Sequence, residues 1–128
     1  MVRKNLIVLL CLAALLAACT PYPDTALPDR PTLTEQEALG QRIFTQNCAS
    51  CHATSPETRV VGPSLHNIGE TAAERVPGMD ARLYIEISII DPSDYVNEGY
   101  EDLMPSTFGT TLTGQELDAL VAFLFTLK

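Results

Sequence analysis

Cys48-Ala49-Ser50-Cys51-His52 constrains this chain more than any other stretch. The pattern is C-x-x-C-H, the attachment signature of a c-type haem. The spacing has a geometrical basis. Cysteines three positions apart lie near each other on one helical turn, so both thiols reach the two vinyl groups on one edge of a porphyrin. Each then adds across its vinyl as a thioether. His52 follows directly and can swing beneath the ring to bind the iron. A C-x-x-C pair alone has three other uses: a structural disulfide, half of a zinc site, or a thioredoxin-like redox pair. A zinc site needs further Cys or His ligands at suitable spacing, and outside the motif the chain offers only Cys11, Cys19 and His66. A thioredoxin-like centre belongs to a βαβ pattern, and no convincing alternating strand surrounds the motif.

The 128 residues suggest one domain. Eight Lys and Arg face 16 Asp and Glu, a formal charge of -8, and Lys128 is the one lysine after Lys4. Such a surface does not suit nucleic acid, which demands basic residues. The first residues carry no fold of their own. Arg3 and Lys4 form a short positive region, and Leu6 to Ala18 is an almost unbroken apolar run. The run is short for a membrane span and fits an export signal. Leu16-Ala17-Ala18-Cys19 resembles the lipobox of bacterial lipoproteins. That resemblance implies a cut before Cys19, which would carry the lipid; an ordinary signal peptide with an A-x-A-like site is the alternative. Residues 1–18 are then a leader, and the loss of Arg3 and Lys4 takes the formal charge from -8 to -10. Residues 19–33 form a tether rich in proline, with Pro21, Pro23, Pro28 and Pro31. Proline at this density propagates neither helix nor ladder. About a dozen such residues at ~3.1 Å each reach roughly 35–40 Å, enough to stand a domain off a membrane.

Residues 34–128 carry the folded domain. Thr34-Glu35-Gln36-Glu37 is a capping box, and the spacing predicts a helix from about Glu35 to Asn47 with Ala38, Leu39, Ile43 and Phe44 on its apolar face. Gly40 sits in mid-helix at a cost of ~1 kcal/mol against Ala, which a close helix crossing would explain. Ala53 to Leu65 reads as loop, punctuated by Ser55-Pro56 and Gly62-Pro63. Asp80 caps a second helix, about Ala81 to Ile90, whose stripe of Leu83, Tyr84, Ile87 and Ile90 is widened by Ile85 and Ile89; Asp91-Pro92 stops it. Ser93 to Gly109 is polar and irregular. Thr113-Gly114-Gln115-Glu116 opens the last helix, with Leu117, Leu120, Val121, Leu124 and Phe125 on one face beside Phe123. The fold class is all-α.

The stretch from Thr34 to Lys128 resembles a class I cytochrome c domain. The resemblance rests on the haem motif directly after the first helix and on Gly40 and Phe44 facing Leu120-Val121-Ala122-Phe123-Leu124. It rests also on Gly62-Pro63-Ser64-Leu65 and on Met104-Pro105 before the last helix. It implies a small cytochrome c fold of three to five helices around one covalently bound haem c. It implies thioethers from Cys48 and Cys51, with His52 and Met104 as the axial iron ligands. Pro63 and Leu65 would belong to the haem environment, the Pro63 carbonyl accepting the second N–H of His52 and so orienting its ring. Met79, beside the Pro77-Gly78 turn, and His66 are competitors for the distal position. A methionine is also an ordinary filler of core space. Tyr95, Tyr100 and Arg75 are candidates to hydrogen-bond a propionate, although a buried tyrosine finds some partner in most folds.

Together these features point to a one-electron carrier and not an enzyme. It would be exported, anchored by lipid to the cell membrane on its periplasmic or other extracytoplasmic side, and would exchange electrons with respiratory or photosynthetic redox proteins. A fixed cytochrome c subunit of a larger membrane oxidoreductase is the second reading. A haem enzyme or gas sensor with an open distal site is the third, and Met104-Pro105 opposes it. No nucleophile–base pair or phosphate loop stands out.

Overall fold

A computed structural model describes residues 32–128. The leader, Cys19 and most of the tether lie outside the described residues. Helix α1 (Glu35–Asn47) starts at the reciprocal cap that Thr34 and Glu37 spell out. The Glu37 N–H donates to Thr34 Oγ1 at 3.2 Å, and the Thr34 N–H donates to Glu37 Oε2 at 2.7 Å. Two donors that the helix cannot satisfy internally are thereby satisfied. The last helix, α5 (Gly114–Leu124), uses the same device at Thr113 and Glu116. Those bonds from Thr113 hold the Glu116 carboxyl below the usual carboxylate range.

Helices α1 and α5 pack directly on each other, and Gly40 explains how. A Cβ at Gly40 would lie 1.9 Å from the Ala119 carbonyl oxygen and 2.7 Å from Phe123 Cβ. The backbones therefore meet where only hydrogen fits, and the propensity lost in mid-helix is exchanged for close packing. Phe44 and Phe123 lie beside this crossing, ring centroids 5.5 Å apart and tilted by 48°, within the favourable range for aromatic pairs. Ile43, Ala119, Leu120, Val121 and Leu124 complete the buried seam.

Between these helices run α2 (Ile68–Thr71), a 3₁₀ turn (Ala72–Glu74), α3 (Ala81–Ile90) and α4 (Phe108–Thr111). The described residues contain no strand. Asp80 caps α3 through the N–H groups of Arg82 and Leu83. The buried face of α3 differs from the expected stripe. Tyr84, Ile85 and Ile89 face the core, while Leu83 is 47% and Ile90 41% exposed. Leu83, Ile85, Ile87, Ile89 and Ile90 fall on more than one side of the helix, so periodicity does not select the inward face; tertiary packing does. Phe125, expected on the apolar face of the last helix, is likewise exposed, because α5 ends at Leu124 and Phe125 is already its C-cap. Helices α2 and α4 interrupt stretches without helical periodicity, and at four residues each they are too short to show one.

Candidate functional site

The C-terminal end of α1 delivers the cysteine motif. Cys48 is the C-cap of α1, its N–H donating to the Phe44 carbonyl. The chain then turns once more, with the N–H groups of Cys51 and His52 both returning to the Cys48 carbonyl at 3.0 and 2.9 Å. This turn sets both thiols and the imidazole on one short rigid segment. Both cysteines are unpaired and half-buried. Burial, assisted by the neighbouring Cys51, pushes the Cys48 thiol up to about 11, so it stays protonated near neutral pH.

The loop after the motif folds back beneath it. The N–H groups of Val61 and Gly62 donate to the Cys51 carbonyl at 3.2 and 2.9 Å, and that of Leu65 donates to the Ala53 carbonyl at 2.8 Å. Ser64 Oγ donates to the Ser55 carbonyl at 2.6 Å. These bonds hold Pro63 against His52, whose Nδ1–H donates to the Pro63 carbonyl at 2.8 Å. A carbonyl can only accept, so this bond fixes the proton on Nδ1 and leaves the Nε2 lone pair free for a metal. Gly62 presses on the same ring. A Cβ there would lie 2.4 Å from His52 Cε1 and 2.9 Å from each ring nitrogen. The sequence marks Gly62-Pro63 as a turn; that its glycine makes room for an imidazole is visible only in three dimensions.

Cys48, Cys51, His52, Pro63 and Leu65 line one cleft of about 270 Å³. Met104, brought in by the segment between α3 and α4, lines it too. Its walls include Phe44, Ile68, Ile85, Ile89, Leu120 and Leu124. Arg75, Tyr95 and Tyr100 are at the cleft as well, joined by Tyr84 and Asn97, which sequence reasoning does not single out. Asn97 Nδ2 donates to the Tyr84 hydroxyl at 3.4 Å, while its Oδ1 is buried without a partner. The two competitors lie elsewhere. Met79 packs against the core outside the cleft lining, and the buried Nδ1 of His66 has no partner. Among the described residues no group of three or more His, Cys, Asp and Glu side chains is placed to hold a metal ion.

The donor set suits a planar, apolar macrocycle with a central metal: two reduced thiols, one imidazole nitrogen held by its tautomer, and one thioether, all in one apolar cleft. It does not resemble a closed structural zinc site, which takes four protein donors of the Cys and His type. The family model described as Cytochrome c matches residues 37–128. No curated protein matches the chain.

Proposed function

Because the chain belongs to the cytochrome c family, and is thereby an electron-transfer protein that binds covalent haem c, we propose that it is a lipid-anchored carrier of single electrons. In this reading Cys48 and Cys51 would hold the haem as thioethers, and His52 and Met104 would ligate its iron. When bound, the haem supplies a one-electron ferric/ferrous couple. The residues do the rest. Pro63 fixes the ring and raises the basicity of His52. Met104 contributes a soft, neutral sulfur, which favours the ferrous state and raises the potential. The apolar walls disfavour the extra charge of the ferric form. With His52 and Met104 both holding the iron, no position would remain for oxygen or peroxide, and the protein would pass electrons without transforming a substrate. The observation that carries this reading is the shared cleft: Met104 and His52 both line it, and Met79 and His66 do not.

The surroundings of the cleft suit a redox partner. Val61, Val96 and Leu103 line it and are each more than a third exposed, and Val60 is 50% exposed. Exposed apolar side chains grouped at a site mark an interaction surface. Asp94, Glu98, Glu101 and Asp102 flank them, all exposed. A partner with an apolar centre and a basic rim fits that pattern. Cys19 would carry the lipid and hold the domain at the outer face of the cell membrane, and no helix among the described residues is long and apolar enough to cross one.

Substituting the two methionines separately tests the ligand set. Met104→Ala should abolish the near-infrared sulfur-to-iron band of the ferric protein, lower its potential and open ferrous iron to carbon monoxide. Met79→Ala should leave all three unchanged. The reverse pattern would falsify the assignment.

A further inference from the structure

The two walls of the cleft come from distant parts of the chain. Residues 53–67 hold Pro63 under His52, and residues 91–107 carry Met104. Among the described residues one hydrogen bond joins them: Arg59 Nη2 donates to the Gly99 carbonyl at 2.6 Å. The same guanidinium lies over the Tyr100 ring, 4.1 Å from its centroid.

The geometry of this contact is specific to its residues. The Tyr100 N–H donates to the Asn97 carbonyl at 3.1 Å, closing a turn with Gly99 at φ +80. That is the position in a type II turn that glycine fills without strain. Arg59 engages the turn in two ways at once, donating in plane to a carbonyl and stacking on an aromatic face. A planar guanidinium does both, whereas a lysine ammonium cannot reproduce the stack. Glu98, Glu101 and Asp102 stand in the same segment, yet Arg59 forms no ion pair among the described residues. Its charge goes to the backbone and ring of the Met104 segment.

We propose that Arg59 is a positioning residue that latches the Met104 segment against the Pro63 segment and so keeps the distal face of the cleft closed. The inference rests on Met104 as the axial ligand. Arg59 touches neither the iron nor its ligands; it acts on the equilibrium between a closed segment and one that swings away with its sulfur. An exogenous ligand binds only the opened state, so its apparent affinity scales with the opened fraction.

Imidazole titration of the ferric, haem-loaded protein reads that fraction. Both contacts are exposed, so each counts at the low end of its range; their loss should raise the opened fraction about fivefold, and Arg59→Ala should bind imidazole about fivefold more tightly. Arg59→Lys keeps the charge and can still donate, and should fall near twofold, a partial rescue. Arg59→Ala should also lose its near-infrared sulfur-to-iron band at a lower temperature than wild type, before its helices melt. Arg82→Ala is the control for general destabilisation. It removes surface ion pairs to Glu86 and Asp118 away from the cleft, and should leave imidazole affinity unchanged. Should Arg59→Ala fail to load haem, Tyr100→Leu removes the stack alone and should still tighten imidazole about threefold. An Arg59→Ala protein with the affinity of Arg82→Ala would overturn the latch while leaving the ligand assignment standing. If Met104→Ala instead retains the band and the wild-type imidazole affinity, the ligand assignment fails and the latch fails with it.

Discussion

Gly40→Ala offers the sharpest test of the helix crossing. The new methyl would sit 1.9 Å from the Ala119 carbonyl oxygen, where carbon and oxygen settle at about 3.3 Å or more. The obstacle is backbone, so no rotamer change relieves it, and α1 and α5 must separate by roughly 1.4 Å. A gap of that size removes much of the dispersion between Ile43 and Phe44 on one side and Leu120 and Phe123 on the other. Overpacking costs about 1–3 kcal/mol, and a rigid backbone contact belongs at the upper end. Replacing Gly by Ala in a helix returns about 1 kcal/mol. The net loss should be about 2 kcal/mol, or roughly 8–16 °C in Tm for a domain of this size. Far-ultraviolet circular dichroism of the haem-loaded protein during heating measures it. Gly114→Ala is the matched control, since a Cβ there meets nothing within 4 Å; its Tm should hold or rise. A Gly40→Ala protein melting within about 2 °C of wild type would refute the reasoning.

Three further outcomes follow from the same geometry. Gly62→Ala should push the His52 ring off the Pro63 carbonyl and weaken its hold on iron. The ferric spectrum should then show a high-spin fraction that wild type lacks, as one lost hydrogen bond loosens the ring; an unchanged spectrum would contradict the contact. Cys19→Ser should release a soluble, haem-loaded domain from membranes, and retention after a high-salt wash would exclude a lipid anchor. Electron-transfer rates with a basic partner should fall as salt rises, because screening removes the attraction; a rate that climbs steeply with salt toward the natural partner would point to an acidic dock.

Local devices were the legible part of this fold. Two capping boxes and an Asp cap mark the starts of α1, α5 and α3, because each is written within four residues. Gly40 also announces a crossing, since nothing local justifies a glycine there. What the sequence leaves open is direction and distance. Helix α3 is apolar on nearly every side, so its inward face is decided by neighbours contributed from elsewhere. Gly62 reads as a turn residue until the histidine beside it is seen. Within the site, the motif declares the cysteines and His52, but Asn97 and Tyr84 carry no pattern that would set them at the cleft. The meeting of Arg59 with Gly99 and Tyr100 spans 40 positions, and no periodicity reaches that far.

The pairing of α1 with α5 also orders events while the protein is being made. A chain that emerges N-terminus first presents α1 and its cysteines long before α5 exists. During that interval the amphipathic face of α1 has no partner, and the turn bearing Cys48 and Cys51 stands clear of the walls that later surround it. Closing the α1–α5 contact joins residues about 80 positions apart, from Gly40 to Ala119, and the loop entropy of that closure must be met before the contact rewards it. The crossing at Gly40 thus ties the first described helix to the last, so a chain cut before α5 would leave the face of α1 that carries Ile43 and Phe44 without its partner.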